Sequence, residues 1–138
     1  MNSRLVPFEK NGRVSMNHGR RVVWILEAGE DTTRKSSVCT VELNPGQRAT
    51  PAHFHPNAEE CVYIVTGTGK VLIGEEIYEI EPGALTIFPP NVPHMLWNTG
   101  DTPMKGICFY SGDGTSVVYE SRDDVDFPEF LTLCTQSN

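Results

Sequence analysis

Residues 60–88 read ECVYIVTGTGKVLIGEEIYEIEPGALTIF. Four runs rich in Val, Ile, Leu, Tyr and Phe (Glu60 to Val65, Gly69 to Ile73, Glu76 to Ile80, Ala84 to Phe88) are parted only by Thr66-Gly67, Gly74-Glu75 and Glu81-Pro82-Gly83. β-Branched and aromatic side chains suit a pleated backbone and Gly and Pro turn it, so runs this short with breakers this close are expected to be antiparallel strands. The rhythm continues outward. Upstream lie Arg21 to Glu27 and Ser37 to Leu43, the second closed by Asn44-Pro45-Gly46; downstream lie His94 to Trp97, Met104 to Phe109 and Ser116 to Tyr119. No long helix is expected, and the fold class is all-β, a sandwich or barrel. Cys61-Val62-Tyr63-Ile64-Val65 is apolar on both parities, which predicts that each face of that strand meets something dry.

The chain has 138 residues, the size of one domain able to bury a sizeable core. Its expected division is a polar N-terminal arm over 1–20, a barrel over 21–120 and an acidic tail over 121–138. In the tail Asp123, Asp124, Asp126 and Glu129 surround Phe127 and Phe130, so it reads as a solvated segment whose two rings could still dock on the barrel or on a neighbour. Eighteen acidic against eleven basic side chains leave a net charge of −7. Nucleic acid and anionic bilayers would be repelled at long range, so neither is an expected partner. No run is long and apolar enough for a membrane span, and Met1 to Lys10 lacks the blocks of a signal peptide, so the expected location is the cytoplasm. Cys39, Cys61, Cys108 and Cys134 are scattered, with no disulfide-scaffold density. They read as reduced thiols packed as small apolar groups, with Cys61 beside the site described next.

Two of the four histidines, His53 and His55, are one residue apart between Gly46 and Pro56. On a strand, residues i and i+2 project to one face ~6.7 Å apart, so two imidazoles can lean together and share a metal, while Phe54 faces packing. Glu60 follows the turn Pro56-Asn57 at the start of an apolar strand, where an unpaired carboxylate is costly to bury and a cation removes the cost. Glu59 should point to the opposite face. His94 opens its strand after Pro89-Pro90-Asn91-Val92-Pro93. His18, in the polar arm, reads as an ordinary hydrogen-bonded residue.

The spacing of this set resembles the cupin superfamily in both of its motifs. The first runs from Gly46 through six residues to His53, His55, four residues, Glu60, six residues and Gly67. Its leading glycine stands one residue further out than in the family pattern. The second is Gly83, five residues, Pro89, one residue, Asn91, two residues, His94, three residues and Asn98. Asn91 stands where the family has glycine, a mild departure because Asn also tolerates a left-handed turn. The resemblance extends over Ser37 to Phe109. It implies a small double-stranded β-helix, or jelly-roll, with one divalent metal near its mouth. Carried over by motif position, the ligands are His53, His55, Glu60 and His94. Three imidazoles and a carboxylate suit Fe, Mn, Ni, Cu or Zn, and no other cofactor is expected.

With an apolar cup built from Val62, Ile64, Phe88, Leu96 and Trp24, the ion would act as a Lewis acid on a small chelating oxygen ligand. Family analogy offers dioxygenase-type cleavage of an enolisable carbonyl compound, or non-oxidative decarboxylase, isomerase or lyase chemistry with a side chain moving a proton. The second needs an acid or base, and Tyr78, Tyr110, Lys105 and Arg48 cannot be given a side from sequence. That scarcity favours the dioxygenase; no catalytic side chain is assigned. Val62 occupies the position where some sulfonium-cleaving cupin lyases carry a tyrosine, which argues against that activity. A non-catalytic metal- or ligand-binding cupin is the reading from another class. Small cupins pair, so a homodimer is expected, with Val22-Val23-Trp24-Ile25-Leu26 either an edge strand added to a partner's sheet or an internal strand.

Overall fold

The computed structural model describes residues 5–6, 8–29 and 35–131. Its strands are β1 (Arg13–Asn17), β2 (Arg20–Leu26), β3 (Ser36–Leu43), β4 (Ala52–Phe54), β5 (Ala58–Thr66), β6 (Gly69–Ile73), β7 (Glu76–Ile80), β8 (Leu85–Phe88), β9 (His94–Asn98), β10 (Met104–Gly112) and β11 (Glu120–Arg122). A 3-10 turn, Glu9–Asn11, precedes them, and a helical turn spans 128–131. The strands form two antiparallel sheets, six-stranded β1-β2-β3-β10-β5-β8 and five-stranded β11-β4-β9-β6-β7. Packed face to face, they make the all-β jelly-roll that the two motifs imply. No described helix is long and apolar enough to cross a membrane.

Alternation builds the interior. On β5, Ala58, Glu60, Val62 and Ile64 are buried while Glu59 and Tyr63 are exposed. Val41 and Leu43 of β3, Phe88 of β8, Val71 of β6, and Met104 and Cys108 of β10 complete one continuous core. The outer face of β5 departs from expectation. Tyr63 is 42% and Val65 39% exposed, so this chain covers only one of the two apolar faces. Cross-strand pairs extend that outer face into two rows, Leu85, Tyr63 and Ile107, then Ile87, Cys61 and Phe109. Cys61 therefore points away from the interior. Cys39, Cys61 and Cys108 are free thiols, and Cys134 lies outside the described residues.

Turn chemistry holds the motifs in register. Gly67 has φ +86°, and a Cβ there would fall 2.6 Å from Met104 Cα, so only glycine fits. Asn91 has φ +68°, the left-handed turn expected of it.

Three local expectations are corrected and one open alternative is decided. The polar segment ending at residue 20 is not all a loose arm, since Arg13–Asn17 pairs along β2 from Arg13↔Trp24 to Asn17↔Arg20. It is polar because it is an edge strand with little to bury, Val14 and Met16 standing exposed. Consequently Val22 to Leu26 is internal, between β1 and β3. Ser116 to Tyr119 is not a strand. Its backbone is satisfied by Asn57, whose Nδ2 donates to Ser116 O at 2.8 Å and whose Oδ1 accepts from Val118 N at 2.9 Å. The acidic run after Ser121 is not simply solvated: Phe127 is fully buried against Trp97, ring centroids 5.1 Å apart, and Phe130 packs on the same indole. Asp126 accepts from Arg48 Nε at 3.0 Å and Nη2 at 2.9 Å, and the Arg48 guanidinium lies 3.6 Å from the Phe130 ring centre.

Candidate metal centre

His53, His55, Glu60 and His94 meet between the sheets. β4 carries His53, which stands directly across from His94 of β9, and His55 follows just past the end of β4. Glu60 comes from β5 in the opposite sheet. All four are buried, and one candidate ligand atom from each lies within 4.8 Å of the others. His94 packs flat on Phe88, centroids 3.9 Å apart and planes 12° from parallel, so the apolar wall fixes its ring.

The proton positions suit a cation. His55 Nδ1 lies 3.0 Å from Val118 O and His94 Nδ1 lies 3.1 Å from Val92 O. A carbonyl can only accept, so each Nδ1 carries the proton, and in the neutral ring each Nε2 presents a lone pair inward. His55 Nε2 is 2.9 Å and His94 Nε2 3.1 Å from the same oxygen, Glu60 Oε1. The second contact is close, but its angle is outside hydrogen-bond geometry, which leaves His94 Nε2 without a hydrogen-bond partner; buried His53 Nδ1 has none either. Lone pairs converging on a carboxylate repel one another unless a positive charge lies among them. The four residues could therefore hold a metal ion. Burial, and then the charge of Arg20, hold the His53 imidazole far below its ordinary range, so it stays neutral.

Several residues at the site have no motif to announce them. His18, read above as ordinary, sits at φ +47° in the β1–β2 turn with its ring centre 4.7 Å from that of His53. Tyr119 packs within 5.2 Å of His53 and 4.6 Å of His55, and Tyr110 within 5.2 Å of His55. Their hydroxyls lie 3.4 Å apart, and burial pushes both phenols up, keeping them protonated. The scarcity of acid and base groups is thereby corrected. Tyr78 is exposed, Lys105 pairs with Glu9, and Arg48 is held by Asp126. Arg20 lines the cavity with His53, Glu60 and His94, and Cys108 lies on its wall. Of the expected cup, Phe88 and Leu96 line that cavity, Val62 and Ile64 pack in the core, and Trp24 rests on Tyr110. A visible signal was the parity Arg20, Val22, Trp24, a charge in line with inward apolar residues.

Two β-sheets closing over a cluster of three histidines and one glutamate define a cupin, and the profile of the Cupin_2 family, a cupin domain, matches residues 39–110. The chain belongs to that family. It is similar, at 32% identity over 95 residues, to mannose-1-phosphate guanylyltransferase RfbM of Salmonella typhimurium, a match covering 69% of this chain and 19% of that protein. The chain spans less than two thirds of the length of the curated relatives it matches first. An uncharacterized double-stranded β-helix protein from Klebsiella pneumoniae superposes with a TM-score of 0.67 at 20% identity, covering 88% of this chain and all of that one. The oxalate decarboxylase of Lactobacillus farciminis in a formate complex gives 0.68 at 21%, covering 79% of this chain and 33% of the other. At such identity the likeness concerns the fold alone.

Proposed function

We propose that this chain is a metal-dependent cupin enzyme acting on a small oxygenated, metal-chelating metabolite, by dioxygenase-type cleavage of an enolisable carbonyl compound. The observation that carries its metal-dependent part is the convergence of buried His53, His55, Glu60 and His94, with His55 and His94 oriented by the carbonyls of Val118 and Val92. A divalent Fe, Mn, Ni, Cu or Zn ion bound by the four would supply a Lewis acid and, if redox-active, a partner for dioxygen. The chain supplies the rest. Phe88, Met95 and Leu96 exclude water, and the two carbonyls hold the imidazole protons away from the reacting centre. In balance, the carbon–carbon double bond of an enol takes both atoms of O2 and yields a carboxylic acid and a carbonyl compound.

The second reading, non-oxidative proton transfer in a decarboxylase, isomerase or lyase, is favoured by the protonated pair Tyr110 and Tyr119 beside the imidazoles. Loading the protein with each metal and following dioxygen uptake with enolisable diketones decides between them. Uptake matched to product supports cleavage, and turnover unchanged without O2 selects the second reading. Metal held with no turnover in either the presence or the absence of O2 leaves a binding module.

The proposal includes a homodimer. The exposed rows carrying Tyr63, Leu85, Ile87 and Phe109 give an apolar face suited to a second copy. Sedimentation of Leu85→Lys/Ile87→Lys should then give a monomer where the wild type gives a dimer.

A further inference from the structure

Arg20 is the charge that neither the fold nor the metal site explains. It lies on the inward parity of β2, is 6% exposed, and contributes to the wall of the same cavity as Glu60, His53 and His94. Its Nη1 is buried with no hydrogen-bond partner, and no carboxylate among the described residues forms an ion pair with it. Glu60, the acid in that cavity, is engaged by His55 and His94 instead. A guanidinium is always charged, so it cannot escape burial by losing its proton. The charge of Glu60 across the cavity offsets part of the burial cost, but without a direct ion pair the guanidinium still lacks the partners for its donors that would balance the rest. A fold with no use for it would be better served by Met or Leu at that position.

We infer that Arg20 is the receptor for an anionic ligand group in this cavity, so that the metabolite is a short carboxylate with a second oxygen. This rests on the proposed metal reading for the second oxygen only. The planar fork of Arg matches a carboxylate with two parallel N–H donors, while an oxygen on the adjacent carbon would face the His53, Glu60 and His94 cluster. Size argues against a large ligand. The centre of a water molecule reaches only about 10 Å³ of the cavity, room for about one water. A short acid therefore enters only as a wall moves, and a long-chain or sugar-sized ligand would need a far larger displacement.

The test is titration calorimetry and thermal unfolding with oxalate and pyruvate, against the uncharged oxamide and methyl pyruvate, on chelator-treated and Zn-loaded protein. Wild type, Arg20→Met and Arg20→Lys are compared, with zinc content measured on each. The expected result is that the acids bind and the neutral analogues do not. Arg20→Met should lose affinity for the acids about tenfold or more, Arg20→Lys less, and zinc content should stay unchanged. Equal binding of acids by wild type and Arg20→Met, equal binding of acids and neutral analogues, or no binding by the wild type in either state overturns the inference. Should Arg20→Met not fold, Arg20→Lys and the acid-against-neutral comparison on the wild type decide it. If zinc is not held but chelator-treated wild type still binds the acids through Arg20, the metal reading has failed and this inference stands.

Discussion

Arg20 and Arg48 are both drawn into this small barrel, and the fold treats them differently. Arg48 is met within the chain by the carboxylate of Asp126 and the face of Phe130, so its charge is spent on holding residues 126–130, a strap across the barrel, in place. Arg20, deeper inside, forms no ion pair with a carboxylate among the described residues, although the charge of Glu60 reaches it across the cavity. A partly buried arginine with its partners built in is part of the architecture, whereas one without them marks where something from outside belongs. The contrast separates two uses of the same residue that composition cannot tell apart.

Four measurements put the contrast between the two arginines at risk. The largest effect isolates Arg20 from its neighbours: in His53→Ala/His94→Ala two of four ligands are gone, and metal content by elemental analysis should fall from near one per chain to near zero. Full occupancy would show that the cluster facing Arg20 is not the metal site. Next, Phe127→Ala empties the fully buried pocket beneath the Arg48 strap and should cost about 3–5 kcal/mol in denaturant unfolding. A loss under about 1 kcal/mol would mean that the strap contributes little. Third, the two arginines should respond with opposite signs. Arg20→Met removes an unpaired buried charge and should raise the stability of the ligand-free protein by about 1–4 kcal/mol, whereas Arg48→Met strands Asp126 and should lower it by about 1–3 kcal/mol. Matching signs in parallel unfolding curves would dissolve the distinction.

The smallest effect concerns a third pairing at the rim. The Glu9 carboxyl is held below its usual range by Lys105 and then Thr40. A group lowered on folding contributes stability that is present above its unfolded value and is lost as pH falls through the folded one. The unfolding midpoint should therefore decline below about pH 4.5, and Glu9→Gln should decline less steeply over that interval. Identical slopes would exclude Glu9 as the source.

What is legible in the sequence and what is not divides along the same lines. The four clustered residues are legible because strand parity and turn spacing are local. His53 and His55 share a face, Glu60 follows one turn later, and Asn91 can make the left-handed bend that presents His94. Long-range satisfaction is not legible. Arg48 finds Asp126 across 78 positions, so the acidic tail reads as solvated until the barrel puts the two together. Ser116 to Tyr119 has strand-like composition, yet Asn57 takes the backbone groups a ladder would have used. Arg13–Asn17 fails the apolar test because an edge strand has one neighbour and little interior to fill. Arg20 is visible only as a charge sharing parity with Val22 and Trp24, a conflict between residue type and environment of the kind that marks function.

The carbonyl of Val118 accepts from His55 Nδ1, while the amide of the same residue is tethered to Asn57, two positions beyond that histidine. The 115–118 segment and the His55 ring are thus one mechanical unit: displacing that segment would free the imidazole to rotate. Loosening the tether at Asn57 would therefore weaken the hold of His55 on any ion the cluster takes up.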